Sequence, residues 1–309
     1  MTRRLLRDDV ERAAAAIRAG GLVAMPTETV YGLAADATNA EAIARIYAVK
    51  GRPVDHPLIV HLSDPEDLDV WAPDSPESAR RLASVGWPGP LTLIVPRDDR
   101  LPAAVAGGLD TVGVRVPAHP MAREMIRLAG RPVAAPSANR FGAVSPTTAR
   151  HVLDDLSDRL DPERDVVLDG GPSPVGVEST IVDCVVEPVQ ILRAGAVTAE
   201  QVRRILDSGV AAVSGPPRAS GMLPSHYAPS CEVRLVDSSD DAMALAAGTP
   251  GSRILDLTDD VARYARELYA SMRRADADGV RTLIAVLPPA DGLGHAIRDR
   301  LQKAAAPRP

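Results

Sequence analysis

The chain is predicted to be an α/β protein with two units: a larger one built on a twisted mixed sheet, and a small, doubly wound one after it. Three observations carry that reading. Up to Leu206, short apolar runs outnumber the segments with helical periodicity. The stretch SGPPRASGMLPSHYAPS then breaks every apolar pattern. After it, strand-like and helix-like segments alternate strictly. The expected division is a first domain over 1–213, a linker over 214–230 and a C-terminal domain over 231–309.

Taken in order, a helix is expected over roughly 8–20, with Asp8, Asp9 and Glu11 at its positive end and Gly20–Gly21 as its stop. The run Gly21–Met25 reads as a strand that Pro26 ends. Asn39 caps a helix, AEAIARIYAVK, closed by Gly51. Leu58–Leu62 reads as a strand, followed by polar, Pro-rich helical segments up to Val85. Further strands are expected at Leu91–Val95, Val112–Val116, Val166–Leu168, Thr180–Val185 and Val189–Leu192, with helices over Met121–Leu128, Thr147–Leu156 and Ala199–Leu206. That excess of strands favours a mixed sheet over a strict parallel alternation. Beyond the linker, strands Glu232–Val236, Arg253–Leu257 and Arg281–Leu287 alternate with helices Asp240–Ala247, Val261–Arg273 and Gly294–Ala305, the order of parallel crossovers.

Composition removes several classes of function. With 45% hydrophobic and 25% charged residues, the 309-residue chain can bury an ordinary globular core, built from aliphatics because aromatics are 3%. A formal charge of −6 supplies no cationic stripe for releasing counterions from nucleic acid, so any positive charge used on anions must be local. The two cysteines, Cys184 and Cys231, have no CxxC spacing and suit a reducing compartment. The opening MTRRLLRDDVERAAAAIRAGG is Arg-rich, but acids sit inside it and no apolar core follows, which reads as a folded helix rather than a targeting segment. No window reaches the ~18 apolar residues of a membrane span. A soluble, cytoplasmic protein is expected, with no P-loop, no GxSxG elbow and no dedicated metal site.

Lys50 holds the most informative position. Ile43, Ile46 and Tyr47 form an apolar stripe, and Lys50 falls on the same face one turn later, where a cation must reach water or meet an anion. Gly51, Arg52 and Pro53 then fix two cations at a stiff corner near His56; a basic helix end that serves the helix dipole is the equally simple alternative. PSAN (136–139) places hydroxyl, amide and backbone donors after an apolar run, an arrangement that suits phosphate or carboxylate oxygens but also an ordinary turn. PTETVYG, TVGVR with Thr111 and Arg115 on one strand face, and VESTIVD followed by Arg193 are weaker signals of the same kind. Ser145, before Pro146, is a further hydroxyl at a helix entry.

Together these stretches resemble a known family. PTETVYGL, KGRP with HPLIVH, WPGPLTLIV, TVGVRVP, PSAN, GVESTIVD and ILRAG occur in the order expected of the YrdC-type threonylcarbamoyl-AMP synthases in their long two-domain form. HYAP and GLGHAIRDRLQKAA resemble that form's linker and extra domain. The resemblance implies a YrdC-like twisted mixed sheet with a concave active site and a Rossmann-like C-terminal domain. It also implies a reaction: L-threonine, bicarbonate and ATP give threonylcarbamoyl-AMP and pyrophosphate, and the product passes to a tRNA threonylcarbamoyl-transfer complex. By the same resemblance Lys50, Arg52, Ser137 and Asn139 are catalytic. ATP falls to Arg52, His56, Thr111, Ser137, Ser145, Arg193 and Tyr227, the last as part of a lid. Threonine falls to Thr29, His61, Arg115, Ala135 and Ser179. Magnesium is expected on the ATP phosphates and not in a protein cage. Two departures stand out: His56 stands where the family usually has Asn or a similar polar residue, and the linker lacks the basic residues expected before HYAP. The resemblance leaves two other roles of YrdC-like domains as alternatives, double-stranded RNA binding (with weak tRNA contact) and carbamoyl transfer as in hydrogenase maturation factors. The acidic charge opposes the first, and the lack of acylphosphatase and zinc-finger segments opposes the second.

Overall fold

A computed structural model of the chain describes residues 5–207, 209–214, 219 and 226–307. Ten strands form the large sheet: β1 Leu6–Arg7, β2 Val23–Met25, β3 Gly32–Asp36, β4 Ile59–His61, β5 Leu91–Pro96, β6 Thr111–Arg115, β7 Val133–Ala134, β8 Val166–Leu168, β9 Thr180–Asp183 and β10 Gln190–Arg193. Their spatial order is β1-β8-β2-β3-β7-β4-β6-β5-β9-β10. Parallel pairs (β1 with β8, β2 with β8, β4 with β6, β5 with β9) alternate with antiparallel ones, so the sheet is mixed, as expected.

The helices in chain order are α1 Val10–Arg18, α2 Ala40–Lys50, α3 Asp67–Trp71, α4 Glu77–Gly86, α5 Pro120–Ala129, α6 Ala149–Leu156, α7 Ala199–Leu206, α8 Ser239–Ala247, α9 Val261–Ala277 and α10 Gly294–Ala305. Successive strand residues serve opposite faces, as the pleat requires. Val23, Met25 and Ala34 pack with α1 and α5 on one face, whereas Ala24, Leu33 and Ala35 join the main core on the other. Asn39 caps α2 by accepting from the Glu41 and Ala42 amides, and Gly51 ends the helix in the left-handed region at φ 64°.

Two central strands were not expected as strands. β3, GLAAD, has no β-branched or aromatic residue, so its local preference for extended structure is weak. It forms because β2 and β7 supply partners on both edges, and small side chains suit so close a packing. A Cβ at Gly32 would lie 3.2 Å from that of Ala135. β7 is two residues long, too short for a pattern to register.

The small sheet comprises β11 Glu232–Val236, β12 Ser252–Leu255 and β13 Thr282–Val286, all parallel, in the order β11-β13-β12. Ile284 and Val286 face Ala242 of α8, while Leu283 and Ala285 face the core shared by α9 and α10, which makes the unit doubly wound. That core also takes in Val30, Val144 and Val177 from the first unit, so the two units meet through continuous apolar packing. Arg273 of α9 pairs with Asp155 at 2.7 Å and donates to the Val144 carbonyl across the same boundary. Most of the expected linker, 214–230, lies outside the described residues.

Candidate active site

The ends of the central strands open on one hollow. Thr29 reaches it from the β2–β3 loop, His61 and Arg115 from the ends of β4 and β6, and Ala135 and Ser137 from the segment after β7. Ser179 enters just before β9 and Arg193 at the end of β10, while Arg52 comes from the corner after α2. The parallel register pairs His61 directly with Arg115, which explains why residues far apart in sequence share one wall.

Arg115 is buried and held at three points. Its Nε donates to the Gly89 carbonyl at 3.1 Å, Nη1 to Thr29 Oγ1 at 3.0 Å and Nη2 to Glu28 Oε1 at 2.5 Å. Thr27 donates to the Val30 carbonyl, so Thr29 must be the donor in the 2.9 Å Thr27–Thr29 contact. Thr29 keeps one lone pair for a ligand. His61 Nδ1 lies 3.0 Å from the Ile59 carbonyl, an acceptor, which puts the proton on Nδ1 and leaves Nε2 an acceptor. Burial, and then Arg115, push the His61 pKa down to about 3, so the ring is neutral. This wall therefore offers a cation beside two acceptors.

Further along the sheet, at β9 and β10, the wall is organised by Arg193 and Glu178. Arg193 donates to the Ser179 carbonyl and to Ser179 Oγ, each at 3.0 Å, and Thr92 Oγ1 meets the same hydroxyl at 2.7 Å. Glu178 accepts from Ser145 at 2.6 Å, from Tyr269 at 2.8 Å and from Arg300 Nε at 3.0 Å. Burial works against its charge, yet Arg300, Arg193 and these hydrogen bonds hold its pKa down at about 2. Tyr227 lies here too: it is 1% exposed, at φ 62°, with the Arg300 guanidinium 5.6 Å from its ring centroid.

At the corner, Lys50 Nζ donates to the backbone carbonyls of Ser137 and Asn139 and does not line the hollow. The Ala138 amide donates to the Tyr31 carbonyl at 2.8 Å, and the Leu33 amide to that of Pro136, so PTETVYGL and PSAN brace each other. Arg52 does line the hollow; its side chain donates to the His56 and Pro57 carbonyls, and burial lowers its pKa to about 10, still well above neutrality. His56, Phe141, His226 and Tyr227 form an aromatic ladder along this side, with ring centroids 5.3, 5.8 and 4.2 Å apart in succession.

The structure thus brings Arg52, Ser137, Arg193, Tyr227, Thr29, His61, Arg115, Ala135 and Ser179 to one surface. It leaves five of the expected residues off that surface. Lys50 is spent beneath the PSAN loop, and Asn139 turns its amide to the Arg140 and Ala143 carbonyls. Ser145 is held by Glu178, His56 stands one ring behind on the ladder, and Thr111 lies at the far end of β6 from Arg115. The Ala135 amide is committed to the Ile59 carbonyl at 2.9 Å. Thr27, Glu28, Glu178, His226 and Arg300 were not singled out from the sequence. A carboxylate in a motif otherwise rich in hydroxyls was a usable signal for Glu28 and Glu178; Arg300 gave none, since it sits among the charges of an amphipathic helix.

Residues 15–195 match the family of Sua5, YciO and YrdC, described as "Telomere recombination", and residues 197–306 match "Threonylcarbamoyl-AMP synthase, C-terminal domain". The chain is 41% identical to the threonylcarbamoyl-AMP synthase of Pyrococcus abyssi, over 96% of this chain and 94% of the relative. It is 38% identical to the threonylcarbamoyl-AMP synthase of Bacillus subtilis, over 97% and 93% respectively. The crystal structure of Pyrococcus abyssi Sua5 complexed with L-threonine superposes with a TM-score of 0.88 at 39% identity, covering 96% of this chain and 94% of that one.

Proposed function

The chain belongs to the threonylcarbamoyl-AMP synthase family, and from that premise we propose how its hollow makes the adenylate. The protein is an enzyme that uses ATP and L-threonine to form threonylcarbamoyl-AMP, a step toward threonylcarbamoyladenosine in tRNA. The reading rests above all on one observation: three guanidinium groups, Arg52, Arg115 and Arg193, are buried around a single hollow that also presents the hydroxyls of Thr29, Ser137 and Ser179.

The threonine carboxylate goes to Arg115, and the amine faces the acceptors Thr29 Oγ1 and His61 Nε2. Bicarbonate supplies the new carbonyl carbon: the ammonium gives up a proton to water, the freed amine nitrogen bonds to that carbon, water leaves, and a carbamate results. A carbamate oxygen then bonds to the α-phosphorus of ATP while the bond to pyrophosphate breaks. Arg52 and Arg193 sit where charge builds up during that exchange, and fixed cations in a dry site are the main help a protein gives phosphoryl chemistry. Ser137 adds a hydroxyl to the phosphate side, and Lys50 acts beneath it by holding the loop that carries it. Tyr227 shields this end from water.

Glu178, the carboxylate among the described lining residues, spends its oxygens on Ser145, Tyr269 and Arg300, so magnesium is assigned to the ATP phosphates. The product passes to a tRNA-modifying complex in the cytoplasm; among the described residues no helix is long and apolar enough to cross a membrane. The test is incubation with ATP, labelled bicarbonate and L-threonine. Label in an AMP-linked product, with stoichiometric pyrophosphate and dependence on threonine, is expected; ATP turnover indifferent to threonine would reject the assignment.

A further inference from the structure

We infer that Glu28 is a positioning residue that fixes Arg115 and balances its charge, so that this end of the hollow selects a zwitterionic amino acid over a bare anion. The inference deepens the threonine-binding reading above and rests on it. Glu28 does not line the hollow. Its Oε1 accepts from Arg115 Nη2 at 2.5 Å, and its Oε2 accepts from the Ala118 amide at 3.0 Å. The Glu28 carbonyl accepts from the Val175 amide at 2.8 Å, so backbone and side chain are both tied down. The two side chains are 9% and 4% exposed, which makes this a buried pair in which each charge depends on the other.

An arginine has five N–H donors. Gly89, Thr29 and Glu28 each take one, leaving Nη1 and Nη2 with one apiece for a ligand. Two donors on a guanidinium held at three points can grip one carboxylate in a fixed pose. The pair Arg115–Glu28 carries no net charge, so it attracts a bare anion weakly. A zwitterion gains there because its ammonium also meets Thr29 and neutral His61 without facing an uncompensated cation. The triphosphate is left to the Arg52 and Arg193 side, where cations outnumber carboxylates: Arg52, Arg193 and Arg300 stand against Glu178 and Asp299, both of which pair with Arg300.

The test compares wild type, Glu28→Gln and Glu28→Asp in the adenylate assay, with 3-hydroxybutyrate, which is threonine without its amine, as competitor. For Glu28→Gln we expect the KM for threonine to rise about tenfold or more, the KM for ATP to stay within about twofold, and 3-hydroxybutyrate to inhibit as well as before or better. Glu28→Asp keeps the charge on a shorter side chain; its threonine KM should rise while its preference for the amino acid survives. An unchanged threonine KM in either variant overturns the inference, as does a parallel rise for threonine and ATP with the preference intact. If Glu28→Gln does not fold, the Glu28→Asp measurement decides by the same criteria. A wild-type enzyme that makes no threonine adenylate would instead reject the functional assignment itself.

Discussion

The Nζ of Lys50 lies 2.5 Å from the backbone carbonyl oxygen of Asn139, and the carbonyl of Ser137 accepts from the same nitrogen at 2.6 Å. A side chain from the last turn of α2 thereby holds both ends of the Ser137–Asn139 segment over the hollow. Burial first, and then Arg52, press the Lys50 pKa well below its usual value, but a neutral amine still donates twice, so both bonds persist without the charge.

Lys50→Met should therefore damage the site through the loop. A buried carbonyl, that of Asn139, and the part-buried one of Ser137 lose their donor, at most about 1–3 kcal/mol each, and Ser137 loses its fixed pose. A lower unfolding midpoint together with at least a tenfold fall in adenylate formation is expected. Full activity with an unchanged midpoint would show that the loop holds itself.

Arg52 stands at the same corner but faces the hollow, so its removal should separate binding from chemistry. Arg52→Ala is expected to cut adenylate formation by roughly 100-fold or more, the scale for deleting one fixed donor at a developing charge. Threonine binding by calorimetry should change little, since Arg115, His61 and Thr29 form a different wall. A threonine affinity that falls along with turnover would place Arg52 on the amino-acid side instead.

Much of this was legible from local signals, for identifiable reasons. Asn39, Gly51 and the stripe Ile43, Ile46, Tyr47 announce α2 because capping and periodicity act within a few residues. The strict alternation after the linker gave the second sheet for the same reason. β3 and β7 were missed because GLAAD is extended only through its neighbours, and these two strands carry the Tyr31–Leu33 and Pro136–Ser137 contacts that close the site. Motif residues could be named as candidates, but whether a side chain faces the hollow depends on packing across long sequence separations. Lys50 and Arg52 are two residues apart and differ in this respect. The part played by Arg300 depends on a contact 122 residues away, which no motif encodes.

Stability should decline on acidification well before the carboxylates titrate. Burial holds His61 and His226 at about 3 in the folded protein, with Arg115 helping at the first and Lys50, Arg52 and Arg193 at the second, against 6.5 for a free ring. Below pH 6.5 the unfolded chain binds protons that the folded one refuses, so unfolding is favoured as pH falls toward 3. Each ring contributes a slope of about 1.4 kcal/mol per pH unit over that window. Glu178, held at about 2 against 4.5, adds a loss that begins only below 4.5. Urea midpoints should therefore drop between about pH 7 and about pH 5, and more steeply below that. A flat profile down to about pH 5 would mean that these rings are not buried in neutral form.

Gly195 offers a test of how closely the Ser179–Arg193 wall is packed. A Cβ there would stand 2.3 Å from the Thr180 nitrogen, and 2.6 Å from both the Glu178 oxygen and the Ser179 carbonyl carbon, all of them backbone atoms. No side-chain rotation can relieve such a contact, so the start of β9 must move, and with it the hydroxyl and carbonyl that Arg193 grips. Gly195→Ala should cost about 1–3 kcal/mol, the usual range for overpacking, and should weaken turnover beyond what the loss of folded protein explains. Gly209→Ala is the matched control: among the described residues nothing lies within 4 Å of its added methyl, and removing a glycine from an open position leaves stability within about half a kcal/mol or raises it slightly. Chemical denaturation of both variants, with adenylate formation measured per folded enzyme, separates the two cases. Equal behaviour of the two alanines would mean that the β9 entry yields freely and that the wall around Arg193 is not the rigid feature its hydrogen bonds describe.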